Sequence, residues 1–456
     1  MEKYENIIIG FGKGGKTLAG TLAAAGQKTA IIERSSTMYG GTCINVACIP
    51  TKSLEHSSRL SAAQGGTFAE RAERYRAAVE EKRQLTSMLR KKNYDKAVSA
   101  GVTVLDGEAS FTGKNTVSVQ HADGSSEIVS GARFFINTGS VPFVPPIPGL
   151  KESRFVYTSE TMMERDSLPE NLVIIGGGYI GLEFASYYTN FGSKVTIIQD
   201  GEAFIPREDA EVAAAVLENM TARGMRIIRS AKTTRIHDEA NYASITVETK
   251  NGIEELKADA ILAATGRKPD LTSLNPDKAG IELTERGAIK TDEHLKTTAD
   301  NIWAMGDVAG GLQFTYISLD DSRVVKSQLL GNGNRTTKNR GTVPYSVFID
   351  PPLSRAGLTE VEAREKGYDI QIAKLSASAI PKAQVLKRPA GILKAVIDAK
   401  TGEILGAHLF CADSHEIINI LKLAMDTHIP YTALRDSIFT HPTMSESLND
   451  LFSTVK

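Results

Sequence analysis

A short apolar strand that runs into a glycine-rich turn, then a helix, then a second apolar strand, occurs twice in this chain. The first copy begins with Ile7-Ile8-Ile9, a fully apolar run suited to a parallel strand buried on both faces. It enters Gly10-Phe11-Gly12-Lys13-Gly14-Gly15, which fits G-x-G-x-x-G through Gly10, Gly12 and Gly15. An Ala/Leu-rich helix follows from Thr17 to Ala25, Gly26 ends it, and Lys28 to Ile32 makes a second strand capped by Glu33. The second copy runs through Leu172 to Ile175, the glycines Gly176, Gly178 and Gly181, a helix from Leu182 to Asn190, Gly192, and the strand Lys194 to Ile198. Each copy is a βαβ unit, which requires a parallel sheet with helices on its faces. Its glycines let the backbone approach a pyrophosphate at the helix N-terminus, and the acid after the second strand meets a ribose hydroxyl. Two such units predict two nucleotides: a flavin dinucleotide and a nicotinamide dinucleotide. At the end of the second unit stands Gln199, where a glutamate would favour the free ribose of NADH. Gln199 neither demands that hydroxyl nor supplies the cation a 2′-phosphate wants, so NADH and NADPH both stay open.

The chemistry concentrates in Gly40-Gly41-Thr42-Cys43-Ile44-Asn45-Val46-Ala47-Cys48-Ile49-Pro50-Thr51-Lys52, which holds two of the chain's three cysteines. The intervening residues amount to about one helical turn, so the two sulfurs can meet if a helix starts near the first. Zinc sites need a second cysteine pair, which is lacking, and no metal is expected. The residues themselves leave a redox-active pair, a short structural bridge and inert thiols as alternatives. The redox reading gains from the helix start, where the N-terminal dipole stabilises a thiolate.

At 456 residues the chain is too long for one core. A net charge of −1 offers no field for nucleic acid or acidic membranes, and no apolar run reaches the length that spans a bilayer. The start of the chain shows no basic-then-apolar leader pattern, so a cytoplasmic location is expected. Between the two units, Ala69 to Lys96 reads as a charged amphipathic helix with a solvated face, and Val102 to Phe135 as a small β-meander. Phe134 to Gly139 and Ile261 to Gly266 look like matching last strands that end in Thr-Gly turns, Thr138-Gly139 and Thr265-Gly266. The Pro-rich Val141 to Pro148 reads as a linker. Asp307 follows a short strand and either caps a helix or serves a ligand. The last third carries no nucleotide signature and reads as α+β, with strands at Val343 to Phe348 and Ile392 to Asp398 and a helix at Ser414 to Thr427. It ends with His441 and Glu446, which fit either an oriented base or a surface histidine beside a helix cap.

Together these pieces resemble the flavin-dependent pyridine nucleotide–disulfide oxidoreductases, over essentially the whole chain and in the same order. That resemblance implies an α/β fold with two Rossmann-like nucleotide domains and a C-terminal α+β dimerisation domain. FAD would be bound by residues 1–150 and 271–340, NAD(P)H by 151–270, and residues 341–456 would form a homodimer. FAD would lie on Gly10, Gly12, Gly15, Glu33, Gly41, Thr42, Thr138, Gly139 and Asp307. The nicotinamide cofactor, NADH or NADPH, would lie on Gly176, Gly178, Gly181 and Gly266, with Tyr179 as a mobile gate. Cys43 would be the interchange thiol and Cys48 the charge-transfer thiol of a redox-active disulfide. Lys52 would pair with Glu183 beside the flavin, and His441, oriented by Glu446, would come from the other subunit as acid/base. Ala47 departs from the glycine of many members and is expected to tune the pair without abolishing it.

Within the family, Gly10 to Ala19, Met38-Tyr39, Trp303 to Asp321, Val343 to Gly357 and Ile438 to Phe452 are similar to the RclA-type reactive-chlorine-resistance and hypothiocyanous acid reductases of bacteria. That similarity implies reduction of small oxidants, chiefly hypothiocyanous acid, or of Cu(II), in oxidative-stress defence. Dihydrolipoyl dehydrogenase shares every catalytic residue named and is the alternative. Glutathione reductase fits less well, because no basic cluster follows the second unit. Mercuric reductase also fits less well, because Leu451 to Lys456 holds no cysteine pair. A flavin-binding regulatory protein without turnover is the reading from another class, and the intact catalytic set argues against it. Cys411 is expected to pack as a small hydrophobe.

Overall fold

A computed structural model describes residues 1–455. The first unit forms β1 (Glu2–Ile9), α1 (Lys13–Ala24) and β2 (Thr29–Glu33), with β1 and β2 parallel and Ile8 opposite Ile31. The chain continues through two helices, α2 (Thr42–Asn45) and α3 (Cys48–Gln64), to the long α4 (Phe68–Ser99). It returns as β3 (Thr103–Asp106), β4 (Glu108–Gly113), β5 (Thr116–Gln120) and β6 (Ser126–Ile136). The sheet runs in the order β3-β2-β1-β6-β5-β4. Alternation along the strands sorts the side chains. Ile8, Ile31 and Phe135 face the core that contains Leu18 and Leu22 of α1, whereas Ile7, Ile32 and Phe134 fill the opposite one.

The meander is smaller than the sequence suggests. β3 joins the parallel sheet beside β2, and only β4 to β6 are antiparallel. β6 is one strand whose first half closes the meander and whose second half continues the nucleotide sheet. The expected linker is also structured: β7 (Ser140–Pro142) pairs antiparallel with a later segment that leads the chain back.

The second unit contains β8 (Val156–Thr158), α5 (Ser159–Met162), β9 (Asn171–Ile175), α6 (Tyr179–Phe191) and β10 (Lys194–Ile198). It continues with α7 (Ala210–Ala222), β11 (Arg226–Ile228), a three-stranded antiparallel sheet β12–β14 (residues 232–258) and β15 (Ala260–Ala263). Its parallel sheet runs β11-β10-β9-β15-β8. β16 (Arg267–Pro269) is the partner of β7, and β17 (Ile302–Ala304) then adds to β6 in parallel, so the chain re-enters the first sheet. α8 (Thr315–Leu330) packs against α1. The last third is a five-stranded antiparallel sheet of β18 (Tyr345–Val347), β19 (Leu353–Gly357), β20 (Ile370–Ser376), β21 (Ile392–Asp398) and β22 (Ile404–Phe410). The helices Ser414–Asp426 and Ser447–Ser453 contribute to its core, where Cys411 is fully buried and burial pushes its thiol up to about 12.

α4 is not simply a solvated rod. It buries Tyr75, Ala78, Val79, Lys82 and Thr86. The Tyr75 hydroxyl reaches Tyr188 of α6 at 2.9 Å, and the ammonium of Lys82 donates to Met163 O at 2.9 Å and pairs with Glu164. Among the described residues, no helix is long and apolar enough to cross a membrane.

Candidate active site

The carboxyl ends of both parallel sheets open into one cavity of about 1710 Å³, the place where open α/β sheets bind ligands. Gly10 leaves β1 at a φ of +97°, and a side chain there would meet the carbonyl oxygen of Asn137 at 2.5 Å. Gly41 approaches the same loop at a φ of +78°, and a Cβ on it would lie 2.5 Å from the Cα of Gly12. Glu33 accepts from the backbone of Phe11 at 2.9 Å, and its burial raises the carboxyl's pKa. Asp307 accepts from the hydroxyl of Ser140 at 2.6 Å, and its carboxyl is likewise raised by burial. Gly10, Gly12, Glu33, Gly41, Thr42, Thr138, Gly139 and Asp307 all line the cavity. Exposed backbone at a helix start, an acid at the neighbouring strand end and a second, half-buried acid make a donor set that fits a dinucleotide such as FAD.

On the side of the second unit, Gly178, Tyr179 and Gly266 line the same cavity. A side chain on Gly178 would meet nothing within 4 Å, so the space beside this loop fits a second nucleotide. The third glycine of each motif, with Gly176, lies outside the cavity lining. A Cβ on Gly15 would meet the carbonyl oxygen of Gly10 at 2.8 Å, and one on Gly181 would meet that of Gly176 at 2.2 Å. Gly15 and Gly181 therefore permit helix–strand packing.

The two thiols meet at the centre. Cys43 lies in α2 and Cys48 is the first residue of α3, so the longer helix starts at the second cysteine. Ala47 caps α3 at a φ of −143° and a ψ of −101°. The Cys48 sulfur lies 3.2 Å from the hydroxyl of Thr315, at the start of α8. A hydrogen bond from Cys43 is the main influence that lowers the Cys48 thiol to about 6; burial opposes it, and Thr315 and Lys52 assist. Cys43 is raised in turn by donating to Cys48 and by its own burial. The pair thus holds one negative charge, on Cys48, at a helix N-terminus.

One turn after Cys48, Lys52 binds Glu183 at 2.7 and 2.9 Å; Glu183 lies one turn after Tyr179 on α6. Glu183 also accepts from the backbone of Phe348 at 2.9 Å, and the Lys52 ammonium sits 4.5 Å from the Phe348 ring centre. The hydroxyl of Tyr179 donates to Glu208, and Tyr345 donates to the same carboxylate oxygen at 2.7 Å. Sequence reading missed Thr315, Asn137, Glu208 and Tyr345. Thr315 and Tyr345 lie in stretches that carry the family resemblance, the only signal that singled them out.

His441 and Glu446 stand apart from this cavity. Their side chains bond at 2.8 Å, but His441 is 72% exposed and neither residue lines the cavity of its own chain. His441 therefore does not line the cavity that holds its own chain's thiols.

With this geometry in hand, comparison with known proteins is decisive at the level of family. The profile described as pyridine nucleotide-disulphide oxidoreductase matches residues 4–322, and that of the family's dimerisation domain matches residues 343–452. The chain belongs to this family. It is 51% identical over 457 residues, all of both chains, to the probable pyridine nucleotide-disulfide oxidoreductase RclA of Escherichia coli (strain K12). It is 34% identical over 466 residues to the dihydrolipoyl dehydrogenase of Mycobacterium tuberculosis (strain ATCC 25618 / H37Rv), covering 99% of this chain and 98% of the other. Among solved structures, the Cu(II) complex of the HOCl-induced flavoprotein disulfide reductase RclA from Escherichia coli superposes with a TM-score of 0.94, at 49% identity and full coverage of both chains.

Proposed function

We propose that this flavoprotein disulfide reductase passes electrons from NAD(P)H to small oxidants, with hypothiocyanous acid as its substrate, in the cytoplasm and as a homodimer. The observation that carries the reading is the single cavity in which two nucleotide loops converge on Cys43, Cys48 and the Lys52–Glu183 pair. Its likeness over the full chain to an HOCl-induced reductase supports a role in oxidant defence. Bound FAD would carry the electron pair from the nicotinamide to the Cys43–Cys48 disulfide.

The chain's own residues account for the remaining chemistry. Lys52, fixed by Glu183, places a positive charge on the cavity wall. The dithiol pair keeps its charge on Cys48, so Cys43 needs a base to become the nucleophile. His441 of a partner subunit, oriented by Glu446, would supply that base. The Cys43 thiolate would attack the sulfur of hypothiocyanous acid, forming a Cys43 sulfenyl thiocyanate and releasing hydroxide, which takes the imidazolium proton and leaves as water. The Cys48 thiolate would then attack the Cys43 sulfur, closing the disulfide and expelling thiocyanate. Two sulfurs are oxidised, and one oxidant is reduced by two electrons.

Cu(II) is a second candidate oxidant, because the related reductase was solved as a Cu(II) complex. Among the described residues no group of three or more His, Cys, Asp or Glu is placed to hold a metal ion. The test is NAD(P)H oxidation with hypothiocyanous acid, Cu(II) and oxidised lipoamide compared side by side. Hypothiocyanous acid is expected to lead by at least about tenfold in kcat/KM, and Cys43→Ser to retain FAD but lose turnover. A lead for lipoamide would instead identify a dihydrolipoyl dehydrogenase.

A further inference from the structure

Lys16 is a half-buried cation to which the reaction path above gives no role. It lies on α1, one turn after Gly12. Its ammonium donates to Asn93 Oδ1 of α4 at 2.6 Å and to Gly40 O, three residues before Cys43, at 3.3 Å. The contact is fixed from both sides. Gly40 has a φ of +98°, and a Cβ on it would lie 3.5 Å from the side chain of Asn93. The Asn93 side-chain nitrogen donates to Leu89 O at 2.7 Å, which turns its oxygen toward Lys16. Both acceptors of the ammonium are neutral, and no carboxylate pairs with Lys16 among the described residues.

The charge around it has one sign. Lys13, which lines the main cavity with Cys43, stands one turn earlier on α1, and Lys96 stands one turn after Asn93 on α4. Burial is the leading influence that lowers the Lys16 ammonium to about 8; Lys13 and Lys96 add to it, and Cys43 opposes it. Lys16 in turn favours the Cys43 thiolate. The sequence holds no Asp or Glu from Gly12 to Lys28 or from Arg34 to Leu54, and from Gln84 to Ser99 only Asp95, which binds Lys91 at 2.6 Å. A partly desolvated ammonium with neutral acceptors and like charges for neighbours is stabilised when an anion joins it.

We propose that Lys16, flanked by Lys13 and Lys96, forms a site for small monovalent anions on the approach to Cys43, which under the oxidant reading above would receive hypothiocyanite and release thiocyanate. Alkylation of Cys43 tests it without turnover. The FAD-loaded full chain is reduced with dithiothreitol, desalted, and treated with iodoacetate or with iodoacetamide, and peptide mapping follows the label on Cys43. The two reagents share a reacting carbon and a leaving group and differ in charge. Their rate ratio therefore cancels the fraction of thiolate and reads the local potential. Relative to the ratio for free cysteine, iodoacetate is expected to be favoured by about three- to tenfold at low ionic strength, less so in salt. Lys16→Gln should remove most of that preference, and Lys16→Arg should keep it. Thiocyanate, at fixed ionic strength, should slow the labelling of Cys43 in the unaltered protein and not in Lys16→Gln. A ratio no higher than that of cysteine, a ratio unchanged in Lys16→Gln, or no protection by thiocyanate would overturn the inference. Should Lys16→Gln fail to fold, the ratio and the thiocyanate protection of the unaltered protein still decide. Turnover with hypothiocyanous acid is measured apart: its absence beside a high ratio would overturn the oxidant reading and leave the anion site standing.

Discussion

Cys48 begins a helix, accepts a hydrogen bond from Cys43 and sits 3.2 Å from the Thr315 hydroxyl; all three influences favour its thiolate over the opposing effect of burial. Its thiol lies near 6, so the thiolate persists above that pH and is lost as the pH falls through it. The long-wavelength absorbance between thiolate and flavin in the two-electron-reduced protein should therefore bleach with a midpoint near 6 on acidification. Cys43→Ala removes the leading donor and should raise that midpoint by roughly one pH unit, whereas Cys43→Ser, which keeps a hydroxyl, should raise it less. A spectrophotometric pH titration of the three proteins reads this directly, and an unchanged midpoint in Cys43→Ala would contradict the dominance of that hydrogen bond. The spacing of Cys43, Cys48 and Lys52 could be read from the sequence because it is local. Thr315 could not be read as a partner, because it joins Cys48 across a separation of 267 residues, which no periodicity records.

The same division holds between elements. The strand–glycine–helix–strand units were readable because period, turn and cap all lie within about thirty residues of one another. The β7–β16 ribbon and the buried face of α4 were not, since what determines them is a partner far along the chain. Asn137 shows how such partners converge. Its side-chain oxygen accepts from Gly15 N of α1 at 2.8 Å, and its nitrogen donates to Met305 O after β17 at 2.7 Å and to Ser318 of α8 at 3.2 Å. One amide thus ties the glycine loop to two elements that re-enter the domain after the second unit. Asn137→Ala leaves a buried N–H and a buried C=O unmatched and should cost roughly 1–3 kcal/mol. Asn137→Asp, which turns an acceptor toward Met305 O, should cost at least as much. Thermal unfolding, together with the FAD retained after gel filtration, measures both; wild-type values for both variants would show that the amide does not organise the loop.

At the scale of the whole molecule, one chain brings every part of the proposed reaction path into its own cavity except His441, the base proposed for Cys43. The missing group is on the chain's own surface, where His441 is held by Glu446 and Ile438, three residues earlier, is 102% exposed. Leu423 on the helix Ser414–Asp426 is also 61% exposed, within a domain whose profile is one of dimerisation. In a two-fold dimer, each subunit would lend its histidine to the other's thiols, so every site would draw on both chains. That arrangement makes a quantitative prediction for mixed subunits. Cys43→Ser and His441→Ala should each be inactive as pure dimers, for different reasons. Unfolding and refolding an equal mixture gives a population in which about half of the dimers carry one subunit of each kind. In those dimers, the subunit that keeps Cys43 faces the partner that keeps His441, so one of the two sites is whole and activity should return to roughly a quarter of wild type. If instead each histidine served its own subunit, both sites of every mixed dimer would be broken and the mixture would stay inactive. Turnover of the refolded mixture, with dimer content confirmed by sedimentation, separates the two arrangements.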